Sequence, residues 1–198
     1  MEKIKKLIGK NVYLGPVPKK NISKLVKWMN DLDVAMYTCQ ATRKHTIETS
    51  KKFQEECLND MSIHYYGIFT NDGNLIGGLD LREIDSINRT ASLGIIIGEK
   101  EYWDKGYGTE STKLLLDYGF NILNLNNIML EVFDFNPRAI RVYEKCGFKI
   151  IGKRRKSKFF NGKYYDEIFM DILAKEFNNL KLKKWQQKRK MNLSVKKN

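Results

Sequence analysis

The sequence is poor in the residues that build cross-links, metal sites and membrane spans. Its 198 residues include three cysteines, two histidines and three prolines. Cys39, Cys57 and Cys146 lie far apart, form no Cys-x-x-Cys pair and are odd in number, so reduced thiols are expected rather than a disulfide framework. His45 and His64 sit in unrelated surroundings, and no ligand cluster can be assembled from the usual spacings; a metalloenzyme is not expected. No apolar run approaches the roughly 18 residues needed to span a bilayer. The lysine-rich stretch of residues 1–10 also lacks the apolar core of a signal peptide, so the expected location is cytoplasmic, away from membranes. There is no internal repeat and no Pro- or Gly-rich linker, and this length fits one domain with at most a short appendage.

What is abundant is positive charge: 36 Lys and Arg stand against 23 Asp and Glu, a formal net charge of +13. Its distribution is uneven. Residues 149–163 hold seven basic and no acidic side chains, and residues 178–198 hold eight basic and none acidic, together more than the whole net charge. The remainder is therefore close to neutral, which argues against a fold that is a nucleic-acid platform throughout. The segment 178–198 also loses regular apolar periodicity. We expect a domain over residues 1–175 and a basic tail over 176–198, the tail being solvated or facing an acidic partner. Hydrophobic residues at 42% and aromatics at 12% suffice for a packed core.

Periodicity and turn residues predict a mixed α/β, or α+β, sheet protein. A strand is expected at residues 11–15, then a helix through Leu25, Val26, Trp28 and Met29 capped by Asn21 or Ser23, and a second helix at 47–58. Strands at 63–70 and 75–81 flank the turn cluster Asn71-Asp72-Gly73-Asn74, and another strand follows at 91–98. A helix at 106–123, a strand at 127–133 and a helix running from Pro137 to Cys146, closed by Gly147, come next. Strands at 149–160 and 164–173 form a hairpin around Asn161-Gly162.

The most informative segment is residues 93–112, LGIIIGEKEYWDKGYGTEST, a strand and short loop leading to glycines that open a helix. Gly106 and Gly108 permit close backbone approach, and the first N–H groups of a helix favour an anion such as a pyrophosphate. The Gly-Lys-Ser/Thr ending of a P-loop is absent, and Ser111 stands where a dinucleotide fingerprint needs Gly or Ala.

Residues 102–110, YWDKGYGTE, followed by Glu131-Val132 and by residues 136–148, NPRAIRVYEKCGF, resemble the GNAT family of N-acetyltransferases. The likeness is greatest to the bacterial branch that contains ribosomal-protein N-terminal and spermidine acetyltransferases, and it extends over residues 10–173 but not the tail. It implies a strongly bent mixed sheet flanked by helices and acetyl-CoA as co-substrate. Its pyrophosphate loop falls on residues 103–108, where Trp103 replaces a usually polar residue; the backbone of Asp104, Lys105, Gly106, Tyr107, Gly108 and Thr109 would hold the phosphates. The strand at 91–98 would splay from that at 127–133, with Ile95, Ile96 and Ile97 offering backbone hydrogen bonds to the pantetheine arm. Asn136 would contact the cofactor or cap the next helix, and Lys105, Arg138, Arg141 and Lys145 would add positive charge near the phosphates. The basic run of residues 153–156 would steer the same anion or form a solvated strand face.

By the same resemblance Glu131 is the candidate general base and Tyr143, twelve residues on, the proton donor to the departing thiolate. Glu83 or Asp80 could instead take the proton or hold the amine. Cys146 has no histidine near it in sequence, so direct attack by the amine is favoured over a cysteine nucleophile. The expected acceptor is a protein N-terminus, a polyamine or another small amine, and a homodimer is implied. Two other readings stand beside it: a catalytically silent acetyl-CoA-binding module, and a basic nucleic-acid-binding protein.

Overall fold

The computed structural model of the chain describes residues 4–177. Strands β1 (Leu7–Ile8) and β2 (Val12–Gly15) lead into helices α1 (Ile22–Asn30), α2 (Leu32–Ala35) and α3 (Ile47–Asn59). The antiparallel run β3 (His64–Thr70), β4 (Leu75–Asp85) and β5 (Thr90–Ile97) follows, then α4 (Tyr107–Asn121), β6 (Asn127–Phe133), α5 (Pro137–Cys146), β7 (Lys149–Phe160) and β8 (Lys163–Leu173). The eight strands form one mixed sheet in the order β1-β2-β3-β4-β5-β6-β8-β7, in which β5 and β6 are the parallel neighbours. The expected mixed sheet with flanking helices is what the chain forms.

Local chemistry explains most element ends. The Asn136 side chain accepts from the Ala139 N–H at 3.1 Å, Pro137 fills the first helical turn, and Gly147 at φ 101° closes α5 in the left-handed region. Asn161 and Gly162 both take positive φ, the geometry a two-residue hairpin turn requires. Helix α3 starts on a capping box in which Thr46 and Thr49 exchange side-chain to backbone bonds.

Three features depart from expectation. Strand β1 has two residues and α2 has four, too short for either periodicity to register. Strand β4 continues to Asp85, past the expected end at 81, because a register shift between Arg82 and Asp85, with Glu83 at φ 54°, lets pairing to β5 resume. At the other end Phe177 packs in the core against Phe120, with ring centroids 5.4 Å apart, so the domain body passes the expected boundary at 175. The basic tail lies outside the described residues from 178 onward.

The main core lies between the sheet and α4, whose Leu115 and Leu116 are fully buried against Ile76, Leu79, Leu81, Ile128 and Leu130. Because α4 is buried on most of its surface, the loop that opens it is held firmly in place. No helix among the described residues is long and apolar enough to cross a membrane.

Candidate active site

Strands β5 and β6 share only three ladder pairs, Thr90↔Asn127, Ala91↔Ile128 and Ser92↔Met129. Beyond them β5 stays paired to β4 as far as Ile97, while β6 stays paired to β8 as far as Phe133. The facing edges therefore part, and a cleft of about 200 Å³ opens between them, walled by residues from β5, β6, α5 and the loop before α4. The free edge of β5 can be read from its partner: Gly98 N–H donates to the Ile76 carbonyl at 2.9 Å, and polar groups of an antiparallel strand alternate sides. Ile96 thus spends its N–H and C=O on β4, while Ile95 turns both of its groups to the cleft side and Ile97 its N–H, the Ile97 carbonyl there accepting from the Trp103 indole. This corrects the expectation that all three isoleucines offer backbone hydrogen bonds; Ile96 contributes only an apolar wall.

At one end of the cleft the chain turns through two left-handed residues, Asp104 at φ 56° and Gly106 at φ 84°, and enters α4. The N–H groups of Tyr107, Gly108 and Thr109 precede the first intrahelical bond, from Glu110 N–H to Gly106 C=O at 3.0 Å, and so remain for a ligand. A Cβ added at Gly108 would lie 3.8 Å from Ile97 and 4.0 Å from Val142, inside the cleft that both residues line. Free donors at a helix N-terminus beside a space that a side chain would fill suit a pyrophosphate.

Trp103 donates its indole N–H to the Ile97 carbonyl at 2.7 Å, tying the loop to the end of β5, and the Arg138 guanidinium lies 3.7 Å from its ring centre. Arg138, Arg141 and Lys145 line the cleft from α5 and place positive charge beside it. The Lys105 side chain is exposed outside the cleft wall, and the Tyr107 ring packs edge-on against Tyr102, leaving Tyr107 to contribute its backbone N–H alone. Of the basic run, Lys153 bonds Asp166 at 2.8 Å and Arg154 lies 4.0 Å from Glu167, and none of residues 153–156 lines the cleft. That run lies on the β7–β8 hairpin, with two of its cations facing carboxylates of β8.

Tyr143 and Glu131 both line the same cleft. Tyr143 is buried, its hydroxyl has no hydrogen-bond partner among the described residues, and burial pushes its pKa well up, so it stays a neutral phenol able to donate. Glu131 is also held above the ordinary carboxylate range, first by desolvation and then by the charges of Glu167 and Glu83. Register brings Glu167 into play: Glu131 pairs with Phe169 and Phe133 with Glu167, so both glutamates occupy one face of the β6–β8 ladder. The same fold brings Cys39 to within 4.8 Å of this pair, a potential three-ligand group that spacing along the chain could not reveal.

Asn136 lines the cleft and caps α5 as well. Cys146 lies outside the cleft wall, its thiol directed to the Thr109 carbonyl at 3.6 Å and pushed up to about 12 by burial, which suits packing rather than attack. Asp80 faces a second cavity, and Glu83 accepts from the Ser92 hydroxyl at 2.8 Å. That cavity, of about 410 Å³, adjoins the cleft through Thr38, Ile95 and Ile96. Val34, Tyr37 and Thr38 were missed by sequence reasoning, because the stretch around α2 carries neither periodicity nor a motif.

A family model described as an acetyltransferase (GNAT) domain matches residues 11–149. The spermidine N(1)-acetyltransferase of Escherichia coli K12 is 31% identical over 167 residues, covering 84% of this chain and 88% of that protein. The putative ribosomal N-acetyltransferase YdaF of Bacillus subtilis is 33% identical over 110 residues, covering 56% and 60%. Among solved structures, spermidine N-acetyltransferase from Vibrio cholerae in complex with CoA and spermine superposes with a TM-score of 0.78 at 28% identity, covering 86% of this chain and all of that one.

Proposed function

Because the chain belongs to the GNAT acetyltransferase family, we propose that it transfers an acetyl group from acetyl-CoA to a primary amine by direct attack, with Glu131 as base and Tyr143 as acid. When bound, acetyl-CoA supplies the thioester. The loop of residues 104–109 and the cations of α5 would hold its phosphates, and Ile95 and Ile97 its pantetheine amides. An alkyl ammonium titrates near 10.4, so Glu131 would draw off its proton, directly or through water, to free the lone pair. As nitrogen bonds the acyl carbon and the carbon–sulfur bond breaks, Tyr143 would give its proton to the sulfur.

The observation that carries this reading is the meeting, in one cleft between splayed strands, of a helix N-terminus with free donors, a neutral buried phenol and a carboxylate of raised pKa. A silent binding module would have no use for the last two. The relatives are named as a spermidine N(1)-acetyltransferase and a putative ribosomal N-acetyltransferase, which supports a small amine or a protein N-terminus as the acceptor class. The test is Tyr143→Phe, for which kcat should fall by about a hundredfold while the calorimetric Kd for acetyl-CoA stays within about twofold. An unchanged kcat would remove Tyr143 from the donor role.

A further inference from the structure

We propose that the acceptor is a primary amine with an apolar body and one anionic group, rather than a polyamine. This rests on the N-acetyltransferase reading and specifies its substrate class. The cavity of about 410 Å³ meets the cleft at Thr38, Ile95 and Ile96, so a molecule filling it presents one end to the cleft that holds Tyr143 and Glu131. Its wall is largely apolar: Leu25, Trp28 and Met29 from α1, and Phe53 from α3, whose ring stands edge-on to Tyr65 at 5.3 Å.

The charges on that wall are Arg43, Lys44 and Arg82 against Glu56 and Asp80. Asp80 is already committed, accepting from Arg82 Nε at 3.0 Å. Arg43 and Lys44 have no carboxylate within ion-pairing distance among the described residues. Their segment is held in place: Asn30 donates to the His45 carbonyl at 2.7 Å and accepts from the His45 N–H at 3.3 Å, and the Thr46 capping box follows directly. The acceptor path is thus polarised, with the carboxylates of Glu131 and Glu167 toward the cleft and, in the cavity, the unpaired cations Arg43 and Lys44 outnumbering the one unpaired carboxylate, Glu56. An amine with a carboxylate on its far end matches both ends. A polycation would place a second ammonium beside Arg43 and Lys44, a repulsive element of the kind that sets specificity.

Three acceptors separate the alternatives: 4-(2-aminoethyl)benzoate, phenethylamine, which has the same body without the carboxylate, and spermidine. Coenzyme A thiol release by the full chain should give a kcat/KM for the benzoate about tenfold above phenethylamine and above spermidine. In Arg43→Gln/Lys44→Gln the ratio of the two aryl amines should fall toward one, while Arg43→Lys/Lys44→Arg retains it; binding of acetyl-CoA checks that each variant is folded. Preference for spermidine, equal rates for the two aryl amines, or a ratio unmoved by the glutamine pair would overturn this inference alone. Absence of thiol release with every amine would overturn both it and the N-acetyltransferase reading.

Discussion

Desolvation, joined by the charge of Glu167 on the same face of the β6–β8 ladder, holds Glu131, the proposed base, above the ordinary carboxylate range. The sign of the effect on rate is fixed: the base works only when ionised, so kcat/KM rises with pH through this elevated pKa. Glu167→Gln removes a negative neighbour and should move the acidic limb of the pH profile to lower pH, whereas Glu131→Gln should abolish that limb and lower kcat/KM by about a hundredfold. A limb unmoved by Glu167→Gln would mean that another group is being titrated. At this scale the sequence was informative where chemistry is written in local spacing. Glu131 and Tyr143 stand out from motif resemblance, but Glu167 and Cys39 reach them only through strand register and loop path, which no local spacing encodes. Burial likewise decides what the thiols are: Cys57 is pushed up to about 11 and Cys146 to about 12, as desolvated side chains rather than nucleophiles.

The entry to α4 assigns its two glycines different tasks. Gly106 has open space around it and a φ of 84°, so its glycine answers to backbone conformation; Gly108 faces the cleft. Gly106→Ala should therefore cost about 1 kcal/mol of stability, read by chemical denaturation. Gly108→Val should raise the Kd for acetyl-CoA about tenfold or more, because its side chain enters the cleft. The reverse pattern, with Gly108→Val binding normally, would place the cofactor elsewhere. Elements with strong local signals were legible: α5 between its Asn136 cap and Gly147, the Asn161-Gly162 hairpin, and β6. Elements made by tertiary pairing were not. Strand β1 exists because Leu7 and Ile8 pair with Leu14 and Tyr13, and the far end of β4 because a bulge restores its register.

For the molecule as a whole, the decisive feature is a pair of parallel neighbours that stay together for three residues and then part, each held by its outer partner. Element order and glycine placement pointed to the neighbourhood, but the parting depends on four strands at once and came only as an implication of family resemblance. The net charge of +13 likewise resolves by location: part of the basic hairpin is neutralised by Asp166 and Glu167, and the cations that bear on the cleft are those of α5. The proposed mechanism passes the acetyl group directly from thioester to amine, with no acyl-enzyme, in keeping with a Cys146 thiol that is buried outside the cleft wall. Mixing stoichiometric acetyl-CoA with the protein and following both coenzyme A thiol and the intact protein mass tests this most directly. No thiol burst and no acetylated protein are expected until an acceptor amine is added, then one thiol released per amine acetylated; a burst without amine, accompanied by an acetylated chain, would refute direct transfer.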